Sequence, residues 1–408
     1  MEQTRTTVYG YRWVVLVLFA LLNVVIEIHW VALAPVTSEA ALHYGVSPLS
    51  IGFLSMIFML AYIVVSLPAS YIIDTYGIRT GIGVGAALMG VFGLLKGLCA
   101  AHYGLVCLSQ LGLAVAQPFI LNAYTRLGAT WFPMKERATA TGLAALSQYV
   151  GIIIAMAVTP ILVHAFGMDG MFLVYGVAAA AVAVLFFLFF RAAPPTPPSP
   201  MEEEARFGVA EGLRHILGQR QMLLLLGLFF IGLGIFNAVT TWIEQILAPR
   251  GFTEEQAGMA GAAMILGGIL GASILPPLSD RMGKRVPFLT LAVFFTLPGL
   301  AGLAFATNYA VLLGASFILG FSSMSAGPIG FQYGAELSHP APESTSQGIL
   351  LLAGQISGAA FIYGMQAFRS AGGSMTPFMV LFLGLTALNV LVCTRLKESK
   401  LIAPGAAD

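Results

Sequence analysis

Twelve long apolar runs restrict the fold of this chain more than any other feature of its sequence. Each run has about 20 residues, the length that an α-helix needs to cross the hydrocarbon core of a bilayer. Because no water satisfies backbone polar groups there, each run is predicted to be a transmembrane helix. The predicted spans are residues 13–33, 50–73, 81–100, 103–127, 139–165, 171–190, 222–247, 258–278, 288–306, 310–334, 346–368 and 375–394.

The composition excludes a soluble fold. The chain is 58% hydrophobic and only 9% charged, whereas soluble domains carry about 25% charged residues. The net charge of +1 and the scattered basic residues give no reason to expect a nucleic-acid partner. This composition leads us to expect a lipid bilayer as partner. The sequence contains no Gly-x-x-x-x-Gly-Lys-Ser/Thr loop, His-Glu-x-x-His motif or paired-cysteine spacing, so we expect neither a metal nor a cofactor.

A duplication divides the twelve spans into two sets of six. The loop sequence Asp-x-x-Gly-x-Arg occurs from Asp74 to Arg79, after span two, and again 206 residues later, from Asp280 to Arg285, after span eight. Two further pairs share an offset of 207 residues: Glu136 with Glu343, and Gln148 with Gln355. The predicted fold class is therefore an all-α integral membrane protein with two pseudo-symmetric six-helix bundles.

The break between spans six and seven is predicted to join the two bundles. It begins with a proline-rich sequence at 194–200, which cannot be helical and acts as a semi-rigid spacer. Three glutamates at 202–204 then precede an apolar stripe, a pattern typical of a short interfacial helix. A disordered linker remains the alternative. The predicted division is an N-terminal bundle of residues 1–191, a cytoplasmic linker of residues 192–220 and a C-terminal bundle of residues 221–408.

Lysine and arginine are distributed unevenly among the predicted loops. With the N-terminus inside, sixteen lie on the inner side, whereas the outer side has only Arg250 and Arg369, and Lys96 lies within a span. Such an excess of basic residues marks the cytoplasmic side of a membrane protein. We therefore expect a multi-pass protein of the inner or plasma membrane with both termini in the cytoplasm. We also expect it to act as a monomer.

Two six-helix halves with repeated charged loops resemble the major facilitator superfamily. The resemblance implies the major facilitator fold and a carrier that works by alternating access. A carboxylate at a helix end that pairs with arginine can hold one state of two rocking bundles, although simple solvated turns are the alternative. The candidate gate or latch residues, including the glutamates after spans four and ten, are Asp74, Arg79, Asp280, Arg281, Arg285, Glu136 and Glu343.

A narrower resemblance is to the feline leukaemia virus subgroup C receptor family of solute carriers. It is carried by Trp30 and by residues 54–62, 116–121 and 131–136, and most specifically by the sequence 330–345. The resemblance implies transport of choline or ethanolamine, and haem export is the other activity associated with that family.

This resemblance also implies three substrate-binding residues. Trp30 in span one, Gln117 in span four and Gln355 in span eleven match positions of that family's choline site, near the membrane midplane. A tryptophan face can bind a quaternary ammonium ion, and the two glutamines, expected to be buried, can hold the choline hydroxyl. The alternatives are an interfacial anchor for Trp30 and helix–helix hydrogen bonds for the glutamines.

Asn237 departs from the family pattern. It stands in span seven where choline-transporting members place a tyrosine of the cation cage. Trp242 follows five residues later, about 140° further round the helix, and cannot simply replace that tyrosine. Asn237 therefore stays a candidate site residue, and its presence favours a different small polar or cationic solute.

Charged residues within the spans are costly and indicate function. Glu27 lies three residues before Trp30, on nearly the same helix face, and is a candidate counter-charge for a cation or a candidate proton site. Glu244 and Lys96 lie late in their spans and are expected to reach toward the membrane surface. Proton symport would use Glu27, whereas uniport needs no titratable group.

The expected function is secondary transport of a small organic solute, favoured to be a choline-like or ethanolamine-like cation. Three alternatives remain: export of haem or another amphipathic organic ion, proton-coupled transport of an organic acid, and a membrane receptor that transports nothing. We do not expect an enzyme, because the sequence has no catalytic cluster at a predicted bilayer face.

Overall fold

The computed structural model describes residues 7–196, 209–338, 343–370 and 373–399, and within these ranges it is helical with no strand. The chain forms two compact units, residues 1–204 and 205–408, here called the N-terminal and C-terminal units. The predicted all-α membrane fold is confirmed, because eleven of the described helices are long and apolar enough to cross a membrane. The bundle limits at residues 191 and 221 stay a prediction.

The N-terminal unit has seven described α-helices and a 3-10 turn, Ala34–Val36. The α-helices are α1 (Arg12–Val31), α2 (Thr37–Tyr44), α3 (Pro48–Tyr76), α4 (Ile78–Leu98), α5 (Tyr103–Leu121), α6 (Tyr124–Trp131) and α7 (Met134–Phe189).

Helix α7 contains two spans. It is 56 residues long, or about 84 Å at 1.5 Å per residue, which is more than twice the roughly 30 Å of a hydrocarbon core. Gly167 interrupts it with a φ of 72°, a left-handed conformation that glycine adopts without steric cost. With α7 counted as two spans, the described helices account for the twelve predicted ones.

The C-terminal unit has eight described α-helices and a 3-10 turn, Ala248–Arg250. The α-helices are α8 (Val209–Gly218), α9 (Arg220–Thr241), α10 (Ile243–Leu247), α11 (Glu254–Met282), α12 (Val286–Phe305), α13 (Tyr309–Ser338), α14 (Glu343–Ala367) and α15 (Thr376–Cys393). Helix α8 lies within the predicted linker, and its Ile216 belongs to the same buried apolar cluster as Met222 and Leu225 of α9. The predicted start of this helix, at 202–204, lies outside the described residues.

Spans four and seven are broken, although the sequence predicted each as one helix. Helix α5 ends at Leu121, where the Asn122 amide donates to the Ser66 carbonyl and to the Ser70 hydroxyl, each at 3.0 Å. Asn122 Oδ1 also accepts from the Tyr62 hydroxyl at 2.8 Å. These bonds fix the Asn122 side chain to α3 directly after the end of α5 and so stabilise the break in span four.

Backbone-to-backbone packing of α11 on α13 depends on glycine. A Cβ atom on Gly320 of α13 would lie only 1.6 Å from the Met264 carbonyl oxygen, and one on Gly267 of α11 would lie 2.2 Å from the Phe317 carbonyl oxygen. Small residues allow this close approach of membrane helices, whose association relies on packing rather than on the hydrophobic effect.

Gly320→Ala should therefore lower the stability of the carrier. The added methyl group meets backbone rather than a movable side chain, so we expect a loss of about 3 kcal/mol. The thermal unfolding midpoint of the purified protein measures this effect. Gly314→Ala in the same helix is the matched control, because a Cβ there meets nothing within 4 Å and should leave the midpoint unchanged or raise it. Equal midpoints for the two variants would contradict the prediction.

Candidate functional site

Glu27 and Gln117 meet in the interior of the N-terminal unit. The Gln117 amide of α5 donates to Glu27 Oε1 of α1 at 2.9 Å. Glu27 is 2% exposed and Gln117 is 7% exposed, so this hydrogen bond is nearly shielded from solvent. A buried carboxylate is costly unless it is paired or hydrogen-bonded, and its described partner is a neutral amide. The structure thus joins two of the predicted site residues.

Two tyrosines that the sequence analysis did not single out lie near this pair. Tyr124 bonds to Asn23, one helical turn before Glu27, and Tyr149 lies two residues before Gly151, which packs against Glu27. The Tyr124 hydroxyl donates to Asn23 Oδ1 at 2.6 Å, and its ring packs edge-on against Phe19 at 5.5 Å. Polar aromatic residues beside apolar runs were the available signal, but spacing along the chain does not reveal that α6 and α7 bring them near Glu27 of α1.

Trp30 is buried, and a hydrogen bond to its backbone carbonyl fixes its position. Its carbonyl accepts from the Ser55 hydroxyl of α3 at 3.1 Å. The indole Nε1 has no hydrogen-bond partner among the residues that the structure describes, although the side chain is only 9% exposed. Buried tryptophan N–H groups usually find an acceptor, so an unpaired one is a candidate contact for a ligand.

Lys96 and Gln110 form a second buried polar pair, which the sequence analysis missed. Lys96 Nζ donates to Gln110 Oε1 at 2.6 Å and lies 4.5 Å from the centroid of the Phe172 ring. The Gln110 amide donates to the carbonyls of His29 and Leu54, each at 3.0 Å. This arrangement links α1, α3, α4, α5 and α7 next to Trp30.

The expectation that Lys96 and Glu244 reach the membrane surface was wrong. Lys96 is 0% exposed and Glu244 is 3% exposed. A lysine within a span can stay buried when its ammonium group has an amide acceptor and an aromatic face, as Lys96 does. Glu244 Oε2 accepts from the Gln245 amide at 2.7 Å, so it too has a hydrogen bond in the interior.

The predicted site residues of the C-terminal unit lie on α9 and α14. Asn237 is 8% exposed, and its amide donates to the Gly354 carbonyl at 3.4 Å. Gln355, expected to be buried, is partly exposed. Trp242 is fully buried, and its indole N–H donates to the Ile362 carbonyl at 3.0 Å. Trp242 is therefore fixed within the packing of this unit.

The second copy of the repeated charged loop forms an ion network. Arg285 pairs with Asp280 and, at 3.0 Å, with Glu336 of α13. Burial alone would lower the pKa of the Arg285 guanidinium, but the hydrogen bonds and charges of Asp280 and Glu336 raise that pKa above its ordinary value. Glu398 accepts from the backbone N–H groups of Arg285 and Val286, each at 3.0 Å, and so caps the start of α12.

The first copy is arranged differently. Arg79, the counterpart of Arg285, is exposed, and so is Arg281. Glu136 pairs instead with Arg12 at 3.2 Å, which joins the beginning of α7 to the beginning of α1. The side chains of the other two predicted latch residues, Asp74 and Glu343, lie outside the described part of the structure.

The sequence profile of the Major Facilitator Superfamily matches residues 9–362. The chain therefore belongs to the major facilitator superfamily, and it is a multi-pass membrane transporter rather than an enzyme. The chain is 16% identical to a bacterial homologue of the human lysosomal transporter Spinster, with a TM-score of 0.76 and coverage of 96% of this chain and 98% of that one. At this identity the likeness shows the fold alone.

Within the superfamily, curated relatives identify a narrower group. The chain is 31% identical over 387 residues to solute carrier family 49 member A3 of Danio rerio, which covers 91% of this chain and 81% of that protein. It is 29% identical over 388 residues to the choline/ethanolamine transporter FLVCR1 of Felis catus, and the match covers 88% of this chain and 68% of that protein. The predicted resemblance to the feline leukaemia virus subgroup C receptor family is thereby confirmed.

Proposed function

We propose that this transporter is a secondary carrier that moves a small organic cation by alternating access. The observation that carries the proposal is Glu27, a carboxylate buried in α1 whose described hydrogen-bond partner is the neutral Gln117. A carboxyl group within a span and without a basic partner favours a bound cation, which stabilises its ionised form, over an organic anion. The names of the relatives, choline/ethanolamine transporters, support the same class of substrate.

The other candidate residues receive roles that fit their chemistry. Trp30 offers an aromatic face and an unpaired indole N–H, and Gln117 orients the carboxylate of Glu27. We propose that Asn237 and Gln355 are polar substrate contacts of the C-terminal unit. Since Asn237 cannot provide an aromatic face, the favoured substrate is a small amino alcohol rather than a cation that needs a complete aromatic cage.

Alternating access would use the charged groups outside the spans. We propose that the Arg285 network and the Arg12–Glu136 pair stabilise one state of the carrier and open in the other. The excess of basic residues supports an inner or plasma membrane location with both termini in the cytoplasm. Cysteine labelling tests this orientation. An impermeant thiol reagent added outside should label the variant Arg250→Cys and not the variant Arg191→Cys. The reverse pattern would overturn the orientation.

Thermal stabilisation by candidate ligands tests the proposed substrate class. A ligand that binds the folded carrier raises its unfolding midpoint once its concentration exceeds the dissociation constant. We expect ethanolamine or a related amino alcohol to raise the midpoint, and Gln117→Ala to remove this shift without lowering the midpoint of the unliganded protein by more than a few degrees. A shift with haem or with organic acids, and none with amines, would refute the organic-cation proposal and favour those alternatives.

A further inference from the structure

The Glu27 carboxylate has one oxygen engaged and one available. Oε1 accepts the hydrogen bond from Gln117 at 2.9 Å. Oε2 accepts no hydrogen bond from the residues that the structure describes. It is also not fully enclosed by protein atoms. In its ionised form, which a bound cation stabilises, a carboxylate accepts several hydrogen bonds. The unused capacity of Glu27 therefore suits a ligand that brings its own N–H donor.

Tyr124 does not offer an open aromatic face to a ligand at Glu27. Quaternary ammonium ions, which have no N–H group, are recognised by open aromatic faces. Tyr124, the aromatic residue of α6 near Glu27, is already packed edge-on against Phe19 and held by its hydroxyl bond to Asn23. Its ring is thus committed to packing within the unit rather than free to enclose a trimethylammonium group.

Helix packing at Glu27 leaves little room for extra methyl groups on one side. A Cβ atom on Gly151 of α7 would lie 2.3 Å from the Val24 carbonyl oxygen and 3.0 Å from Glu27 Cβ. The backbone of α7 therefore lies directly against α1 at this point. This close packing restricts the space on one side of Glu27, which favours a small ammonium group over a bulky one.

We infer that Glu27 selects cations with N–H donors, namely primary, secondary and tertiary ammonium ions, over quaternary ammonium ions. A charge-assisted N–H···O bond needs a hydrogen on the cation, whereas a quaternary nitrogen keeps its charge behind a shell of methyl groups. This selectivity rests on the proposed organic-cation function. It adds a preference for N–H-bearing cations that the hypothesis of a choline-type substrate does not contain.

Graded N-methylation separates the loss of N–H donors from the loss of charge. The ligands are ethanolamine, N-methylethanolamine, N,N-dimethylethanolamine and choline, which all carry a hydroxyl group and one positive charge at neutral pH. Their dissociation constants are measured on the purified full-length carrier by titrating the thermal midpoint. We expect choline to bind at least about tenfold more weakly than N,N-dimethylethanolamine, because this step removes the last hydrogen-bond donor on nitrogen.

Substitution of Glu27 assigns the selectivity to its carboxylate. In Glu27→Gln the step from N,N-dimethylethanolamine to choline should shrink to less than about threefold, because a neutral acceptor makes a weaker bond to a charged donor. If Glu27→Gln binds too weakly to measure, Glu27→Asp must keep the wild-type order, since it keeps the carboxylate. Glu255→Gln, the same change at an exposed glutamate of α11, serves as the control and should change nothing.

The possible failures are distinguishable. Choline binding as tightly as ethanolamine, or more tightly, would overturn the N–H selectivity while leaving the organic-cation function in place. An unchanged selectivity in Glu27→Gln would move the selective group elsewhere and also overturn the inference. Binding of none of the four amines would refute the proposed function itself.

Discussion

Glu27→Gln should reduce uptake of the organic cation by at least about thirtyfold. Removing one partner of a buried charge pair costs about 2–5 kcal/mol, and 1.4 kcal/mol corresponds to a factor of ten. The substitution keeps the size of the side chain and an acceptor for the Gln117 amide, so the fold should survive. The loss should therefore appear in transport and in ligand binding, while the unfolding midpoint of the unliganded protein changes little.

Uptake of radiolabelled ethanolamine into proteoliposomes that contain equal amounts of folded carrier measures this effect. Glu255→Gln is again the control, because it removes the same charge from an exposed position. Uptake at the wild-type rate in Glu27→Gln would remove Glu27 from the substrate site. The same assay across a pH series tests proton coupling: a pH dependence that persists unchanged in Glu27→Gln would show that Glu27 does not carry a coupled proton.

The sequence predicted the helices well because bilayer physics leaves few choices. A run of about 20 apolar residues must satisfy its own backbone, and only a helix does so within one segment. The breaks were harder to predict. Directly after the end of α5, Asn122 bonds to Ser66 and Ser70 of α3, and such a tertiary contact leaves no periodic signal in the sequence of the broken span.

The candidate site was predicted in its residues but not in its contacts. Glu27 and Gln117 were selected separately, one as a charge within a span and the other by resemblance, and their hydrogen bond joins positions that are 90 residues apart. The Lys96–Gln110 pair was missed because a lysine near the end of a span normally reaches the surface. Only the packed positions of Gln110 and Phe172 show what keeps it inside.

The two copies of the charged loop differ in the residues that surround their arginines. Arg285 owes its buried position to Glu336, which belongs to α13 and not to the loop. The residue 207 positions before Glu336, at the offset of the neighbouring Glu136–Glu343 pair, is Ala129, which offers no carboxylate to Arg79. The repeated motif therefore conserves the arginine between the units but not the partner that fixes it, and this difference explains why Arg79 is exposed.

Arg285→Met should be among the most destabilising substitutions outside the spans. The side chains of Arg285 and Glu336 are each only 8% exposed, so the change leaves a buried carboxylate without its cation. Breaking a buried pair in this way costs about 3–5 kcal/mol. Asp280 contributes less, because its side chain is 61% exposed and its charge is screened by solvent. A marked fall in the thermal unfolding midpoint of the purified carrier measures the loss.

Two matched variants identify the cause of this loss. Arg79→Met makes the same change at the exposed counterpart and should alter stability by no more than about 0.5 kcal/mol. Arg285→Met combined with Glu336→Gln removes the stranded charge and should recover much of the midpoint, since the penalty comes mainly from an unpaired carboxylate. If the double variant is stable but its uptake rate differs from that of the wild type, the network acts in the transport cycle. If Arg285→Met alone leaves the midpoint unchanged, Arg285 neither stabilises the C-terminal unit nor holds one of its states.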